Sequence, residues 1–301
     1  MEATKRKREV SETKSTEVEA LVFHKNCPDG FASACACYMY YQESDLALPI
    51  FIGLAHSDPF PAEQLTGKRV AIFDFSFKRD VMMRLLDICA SLVLWDHHDT
   101  AEKELVGLPH CHFSKDESGC ILAWKFFFGK EKIPMFFRYV DDADRWQWKL
   151  EDSKNVSAGA YSDLEFNFDD YMEIIDDESN EKIGCLARSG KNYLKVIKRL
   201  GEGKAKVAKE IQFLGYKARV VNCPFFVSHM CDMILSTHPT CQVAVVWEKD
   251  HRGDLYRVHL RSREGEPVDV GNMAARLGGG GHVHASGFSL SGKRSIEELW
   301  T

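Results

Sequence analysis

The sequence predicts an α/β protein: an N-terminal doubly wound, mostly parallel sheet followed by a smaller C-terminal α/β domain, with the active site in the cleft between them. Three observations predict it. Short apolar runs end abruptly in ionisable residues at Ala20–His24, Val70–Asp74 and Leu92–Asp99. Such runs read as buried strands, and helical patterns separate them, as parallel crossovers require. From Lys217 the alternation of strand-like and helix-like segments starts afresh.

Taken in order, Ala20–His24 is the first strand, and Lys25–Gly30 is a turn containing Pro28 and Gly30. Phe31–Tyr41 follows as a helix whose small residues, Ala32 to Cys37, let it lie close to a sheet. Pro49–Leu54 and Arg69–Phe73 are the second and third strands. Arg79–Ala90 carries Val81, Met82, Leu85, Leu86 and Cys89 at helical spacing and forms the crossover to the fourth strand, Ser91–Trp95. Ser118–Phe128 is an apolar helix. Ile133–Trp148 is a helix or helix-plus-turn holding Asp141, Asp142 and Asp144. Each of these acids must be exposed, paired or metal-bound, because burying an unpaired carboxylate is costly.

Residues 151–181 read as an acidic, loop-like approach to a domain boundary, without the spacing of a calcium loop. Lys182–Leu200 and Lys204–Leu214 read as two helices hinged at Gly201 and Gly203. Beyond them, Ala218–Asn222 is a strand, Ser228 N-caps a helix through His238, and Cys241–Trp247 and Leu255–Arg261 are strands joined at Gly253-Asp254. Val268–Leu277 is a helix and Ala285–Leu290 the last strand. The division expected is a disordered tail over 1–18, a catalytic domain over 19–165, an acidic loop and helical linker over 166–214, and a substrate-binding domain over 215–301.

Bulk properties narrow the function. A chain of 301 residues with 45% apolar composition can form two cored domains. It has no apolar span long enough to cross a bilayer and no signal-peptide core, so an intracellular protein without a membrane partner is expected. The ten cysteines then read as reduced thiols, and none is arranged as Cys-x-x-Cys. A net charge of −6 argues against tracking a long nucleic acid and for a small phosphorylated or short nucleic-acid substrate held by local cations. Lys5-Arg6-Lys7-Arg8 offers a nuclear address, but a solvated terminus in a cytoplasmic protein is the preferred reading. Oligomeric state is not legible.

In an open α/β sheet, ligands bind just past the carboxyl ends of the strands. His24, Asp29, Asp74, Asp96, His97 and His98 should therefore converge on one sheet edge. Imidazole and carboxylate together suit manganese, iron or zinc better than calcium. His56 and Asp58 lie past the second strand and read as a loop histidine and a turn acid. In the second domain, Gly278 to Gly281 places bare backbone N–H groups beside His282 and His284, where an anion can approach. Arg261 and Arg263 end a strand there, and arginine is a natural fork for phosphate.

Asp96-His97-His98 matches the name motif of the DHH phosphoesterases, and the chain resembles the subgroup with the DHH-associated C-terminal domain, which spans nanoRNase-, pAp phosphatase- and exonuclease-type enzymes. The resemblance covers most of residues 20–292. It rests on His24-Lys25-Asn26-Cys27-Pro28-Asp29-Gly30, Asp74, Asp96-His97-His98, Asp142-Ala143-Asp144-Arg145-Trp146, Arg261-Ser262 and Gly279-Gly280-Gly281-His282-Val283-His284-Ala285-Ser286-Gly287. It implies two Mn²⁺ ions, with Mg²⁺ or Co²⁺ as substitutes, in a two-metal phosphoester hydrolysis.

His24 and Asp74 would hold the first ion. Asp29, Asp74, His97 and Asp142 would hold the second, Asp74 bridging. Asp96 would orient ligands, and Asp74, Asp96, His97 and His98 form the implied catalytic set. His98, Arg261, Ser262, Gly279, Gly280, Gly281 and His282 would contact substrate. Roles for Asp144, Arg145 and His284 stay open, as does that of Cys27, which stands where many members of the family carry Asp. The rival readings are an exopolyphosphatase or pyrophosphatase using the same ions, and a degenerate binding protein of the same fold, for which Cys27 is the support.

Overall fold

The computed structural model describes residues 11–12, 16–56, 58–250, 254–291 and 295–300. The basic tetrad Lys5-Arg6-Lys7-Arg8 lies outside the described residues, as does most of the expected tail over 1–18. The chain divides into two compact units. The first runs to Lys191; the second runs from Asn192 onward, and His98–Thr100 group with it.

The first unit is built in the order β1 (Ser11–Glu12), β2 (Ala20–His24), α1 (Pro28–Glu43), β3 (Ile50–Leu54), α2 (Ala62–Leu65), β4 (Arg69–Phe73), α3 (Arg79–Ile88), β5 (Ser91–Asp96), α4 (Asp99–Leu105), β6 (Cys111–Phe113), α5 (Gly119–Phe128), α6 (Met135–Asp144), α7 (Ser153–Asp163), α8 (Phe168–Ile175) and the first part of the long α9 (Glu181–Lys206), whose residues from Asn192 on belong to the second unit. The strands form one parallel sheet in the order β3-β2-β4-β5, with β1 and β6 both pairing β5.

Apolar residues run without a break along these strands because both faces of the sheet are covered. Side chains of successive residues point to opposite faces. Leu21, Phe23, Ala71, Phe73 and Val93 enter one core with Cys35, Ile121, Trp124 and Phe136. Val22, Val70, Ile72, Leu92 and Leu94 enter the other with Met82, Leu85 and Leu105. This is the doubly wound arrangement that the alternation predicts. Register matters most for the site: Phe73 pairs with both Phe23 and Trp95, so His24, Asp74 and Asp96 emerge at the same sheet edge.

The second unit carries β7 (Lys209–Phe213), β8 (Tyr216–Asn222), α10 (Val227–Thr237), β9 (Val243–Asp250), β10 (Leu255–Arg261), α11 (Val270–Arg276), β11 (Gly280–Gly281), β12 (Ala285–Ser291) and a final 3-10 turn, Ile296–Leu299. Its mixed sheet has the order β11-β12-β10-β9-β8-β7, in which β8 and β9 alone pair in parallel. Val243 and Val245 pack into one core, and Ala244 and Val246 into another.

Several local expectations are corrected. The stretch 151–181 is not loop-like: α7 and α8 occupy it, burying Val156, Tyr171, Ile174 and Ile175, and Asn167 caps α8 by accepting the Asp170 amide. Gly201 and Gly203 do not break a helix, since both lie inside α9, and residues 209–213 are strand. Ser228 sits within the first turn of α10 rather than capping it. The described end of the expected tail is held in place, because Val18 is buried and its carbonyl accepts the Tyr41 hydroxyl. No disulfide joins any of the ten cysteines. Among the described residues no helix is long and apolar enough to cross a membrane.

One buried charge balance in the second unit has a measurable consequence. His259 lies on β10 between Arg257 and Arg261, which share its face of the strand. Burial, then Arg261, then Arg257 push its imidazole down from 6.5 to about 4. The folded ring is therefore neutral where the unfolded ring is protonated. Its contribution to stability is complete above pH 6.5 and is lost as the pH falls toward 4. In urea denaturation across that range, His259→Gln should show a flatter fall in stability than the wild type. Parallel curves would contradict the assignment.

Candidate active site

The C-terminal edge of the first sheet delivers a compact group of ionisable side chains. His97, immediately after β5, is buried with its Nε2 3.2 Å from Asp74 Oδ1, 3.4 Å from Asp144 Oδ2 and 3.7 Å from Asp29 Oδ2. Burial alone would lower its pKa; Asp144, Asp74 and Asp29 outweigh that and hold it well above the ordinary value.

Asp74 turns its other oxygen elsewhere. Oδ2 lies 3.8 Å from His24 Nδ1 and accepts from Cys27 Sγ at 3.5 Å. One carboxylate thus faces two donor groups, Asp29–His97–Asp144 and His24–Cys27, with one oxygen toward each. In each of the sets Asp29, His97, Asp144 and His24, Cys27, Asp74, the ligand atoms lie within 4.8 Å of one another.

Each of these positions has a local cause. Asp74 adopts a left-handed backbone, φ 53°, which Asp tolerates better than most residues, and its amide bonds the Trp95 carbonyl. Asp29, in the first turn of α1, is anchored by the start of α5: Oδ1 accepts from Ser118 Oγ (2.6 Å) and the Cys120 amide (2.9 Å), and Oδ2 from the Gly119 amide (2.6 Å). A helix N-terminus offers unsatisfied N–H groups and partial positive charge, so a carboxylate is stable there. Gly119 is required: a Cβ on it would lie 2.4 Å from Asp74 Cβ and 2.9 Å from Asp29 Oδ2. Arg145 clasps Asp141 through Nε (2.8 Å) and Nη2 (2.6 Å), and Asp141 Oδ1 also accepts the Ser118 amide (2.8 Å). Arg145 and Asp141 therefore hold the start of α5 and do not themselves enter the cluster.

One ligand expectation is corrected. The resemblance puts Asp142 beside Asp29, Asp74 and His97, but Asp144 lies there instead. The Asp142 carboxylate points into the loop after α6, where Oδ1 accepts the Lys149 amide (2.9 Å) and Oδ2 the Leu150 amide (3.3 Å). Asp142 and Asp144 are two residues apart on a helix, which turns them to different faces. Asp96 Oδ1 accepts the His97 amide (2.7 Å), so it fixes the backbone that presents His97. Asp58 pairs with Lys25 (2.5 Å) and caps the Ala55 amide (2.9 Å), the turn acid expected of it.

In the second unit, the rings of His98 and His282 stack with centroids 4.6 Å apart, and the Gly281 amide donates to Thr100 Oγ1 (2.9 Å). Arg261 is partly buried and donates to Ser228 Oγ (2.9 Å) and the Leu260 carbonyl (3.0 Å). Ser262 Oγ donates to the Val268 carbonyl (2.8 Å) and meets His284 Nδ1 at 2.9 Å. Arg263 bonds the Leu235, His238 and Cys241 carbonyls and pairs with Glu266, so it ties the fold together. Part of the glycine run also has a packing cause: a Cβ on Gly279 would lie 2.0 Å from the Gly287 carbonyl of β12.

The sequence reading missed Ser118 and Gly119 as supports. Their signal is a Ser-Gly pair opening an apolar helix, which by itself says only that a helix starts. The donor chemistry fits divalent cations. Three carboxylates crowd one imidazole nitrogen, an arrangement that a cation relieves and that carboxylate and imidazole ligands supply for Mn²⁺-like ions.

No family model matches the chain. It is 27% identical over 291 residues to an uncharacterized protein of Acanthamoeba polyphaga mimivirus; the match covers 92% of this chain and 68% of that protein. Among solved structures it is similar to a DHH domain described as belonging to a family of ribosomal proteins, at 12% identity and a TM-score of 0.60, covering 93% of this chain and 84% of that one. A pGpG-specific phosphodiesterase from Vibrio cholerae aligns over 90% of this chain and 93% of its own, at 13% identity and a TM-score of 0.47.

Gly119→Ala should press on Asp74 and Asp29, and circular dichroism separates that local effect from unfolding. Supports of this kind typically matter by about 10–100-fold in metal affinity. Titration calorimetry with Mn²⁺ should show a loss in that range. Unchanged affinity would remove Gly119 from the support of the cluster.

Proposed function

This chain has the fold of the DHH-domain proteins, and from that premise we propose that it is a metal-dependent phosphoesterase acting on a short nucleotidic substrate. A short oligonucleotide, a pAp-type nucleotide or a cyclic dinucleotide fits the proposal. The observation that carries it is the Asp74 carboxylate, which faces two donor groups with separate oxygens. A two-ion centre needs such a bridging ligand.

The proposed ligands are His24, Cys27 and Asp74 for one ion, and Asp29, Asp74, His97 and Asp144 for the other, with Mn²⁺ as the working ion and Mg²⁺ or Co²⁺ as substitutes. Divalent ions held there supply Lewis-acid polarisation of a phosphoryl oxygen and activation of water near neutral pH. The chain's own residues supply rigidity. Three donors from the start of α5 pin the Asp29 carboxylate, and Asp96 holds the His97 backbone. His97 must be neutral to act as a ligand, so the same carboxylates that draw a proton to its ring would also draw a cation that replaces that proton. Arg261, Ser262, His98, His282 and the amides of Gly279, Gly280 and Gly281 are the proposed contacts to the substrate phosphate.

A phosphate-release panel of pAp, short RNA, cyclic dinucleotides and polyphosphate, each with Mn²⁺, tests the substrate class. Turnover of the nucleotidic compounds is expected; turnover of polyphosphate alone would select the phosphoanhydride reading. Asp74→Asn removes a ligand to both ions. It should lower kcat/KM by about 100-fold or more, since losing even an outer partner of a metal ligand costs 10–100-fold. Circular dichroism should be unchanged. Full activity in that variant would contradict the two-ion assignment.

A further inference from the structure

The two halves of the centre differ in kind. Asp29, Asp74, His97 and Asp144 present only oxygen and imidazole nitrogen. His24, Cys27 and Asp74 add a sulfur. Thiolate is a soft ligand that favours zinc-like ions, whereas carboxylate and imidazole without sulfur suit manganese.

The spacing of the sulfur-bearing half points the same way. Zinc bonds to sulfur, nitrogen and oxygen run from about 2.0 to 2.3 Å in a tetrahedron, which sets neighbouring ligand atoms about 3.3–3.8 Å apart. Cys27 Sγ lies 3.5 Å from Asp74 Oδ2, within that range, and His24 Nδ1, 3.8 Å from the same oxygen, needs to close by a few tenths of an ångström to reach the roughly 3.3–3.5 Å of a nitrogen–oxygen pair on zinc. Three protein ligands with a fourth position left for water or substrate is the pattern of a catalytic rather than a structural zinc.

The sulfur is also held firmly in place. Cys27 is the N-cap residue of α1, and its carbonyl accepts the Phe31 amide at 2.9 Å. Pro28 occupies the first helical position, where its ring fixes φ without the loss of a helical hydrogen bond. Asn26 precedes Cys27 in a left-handed conformation, φ 56°. The turn from β2 into α1 thus delivers His24 and Cys27 to the same oxygen of Asp74.

We propose that His24, Cys27 and Asp74 form a thiolate-bearing half-site for a zinc-class ion, so that the centre is a mixed pair with a manganese-class ion at Asp29, Asp74, His97 and Asp144. This rests on the two-ion phosphoesterase reading and refines it. Cys27 is then a ligand that selects the metal, not a mark of lost function.

The test uses the full-length protein, stripped with chelator and reloaded with Co²⁺, which reports thiolate ligation by a charge-transfer band in the near ultraviolet. Native mass spectrometry counts the ions. Two Co²⁺ per chain with that band are expected, and Cys27→Ser should abolish the band. The same variant should lower Zn²⁺ affinity by about tenfold or more, while Mn²⁺ affinity at the other half changes little. Cys27→Asp should shift the Zn²⁺-to-Mn²⁺ affinity ratio toward Mn²⁺. Replacing the less buried Cys111 and Cys185 by Ser should leave the band intact.

Binding of two Co²⁺ without the band would overturn the half-site and leave the phosphoesterase reading standing; so would a band and a Zn²⁺ affinity that survive in Cys27→Ser. Failure to bind any divalent ion would overturn both. The spectrum of the unmodified protein decides the point even if the serine variant does not fold.

Discussion

The structure depends on holding the carboxylate of Asp74 between two groups of donors. Its neighbours include Asp29 and Asp144, so negative charge is gathered beside a buried carboxylate. A cluster of this kind is costly unless a cation or a proton compensates it. The chain tolerates that cost through backbone structure. Asp74 is placed in a left-handed conformation, and the glycine at position 119 leaves room for it. The start of α5 binds Asp29 with three donors.

The sheet explains why residues so far apart in sequence meet. Parallel strands in register bring every strand end to one edge: β2 ends in His24, β4 is followed at once by Asp74, and β5 ends in Asp96 just before His97. The helices then complete the site from above the edge: α1 contributes Cys27 and Asp29, α5 anchors Asp29, and the last residue of α6 contributes Asp144. In the first unit the candidate ligands thus sit at the ends of secondary-structure elements rather than in long loops. In the second unit most of the candidate polar groups have structural partners as well. Arg263 bonds three backbone carbonyls and Glu266, and Arg261 bonds Ser228 and the Leu260 carbonyl.

Much of this was legible in the sequence, for a physical reason. Buried parallel strands must be apolar throughout, so a run such as Val70–Phe73 followed by Asp74 marks a strand end without ambiguity. His24, Asp29, Asp74 and His97 can therefore be placed at one edge from the sequence alone. Asp142 and Asp144 cannot be separated in that way, because both precede the end of the same helix and only its rotation decides which faces the cluster. The acidic stretch at 151–181 reads as loop because its exposed face dominates its composition. Its apolar positions, Val156, Tyr171, Ile174 and Ile175, have the helical spacing all the same. Gly201 reads as a hinge although it lies inside α9, where the absent side chain makes room for Met233. The role of Gly119 depends on a tertiary approach that no local pattern records.

The central claim is that the carboxylates converging on His97 and Asp74 exist to hold divalent cations. Anomalous X-ray diffraction from crystals soaked in Mn²⁺ tests it most directly. The account predicts anomalous density within bonding distance of His97 Nε2 and of Asp74. Density elsewhere only, or none at millimolar Mn²⁺ in crystals where those side chains stand as described, would contradict it.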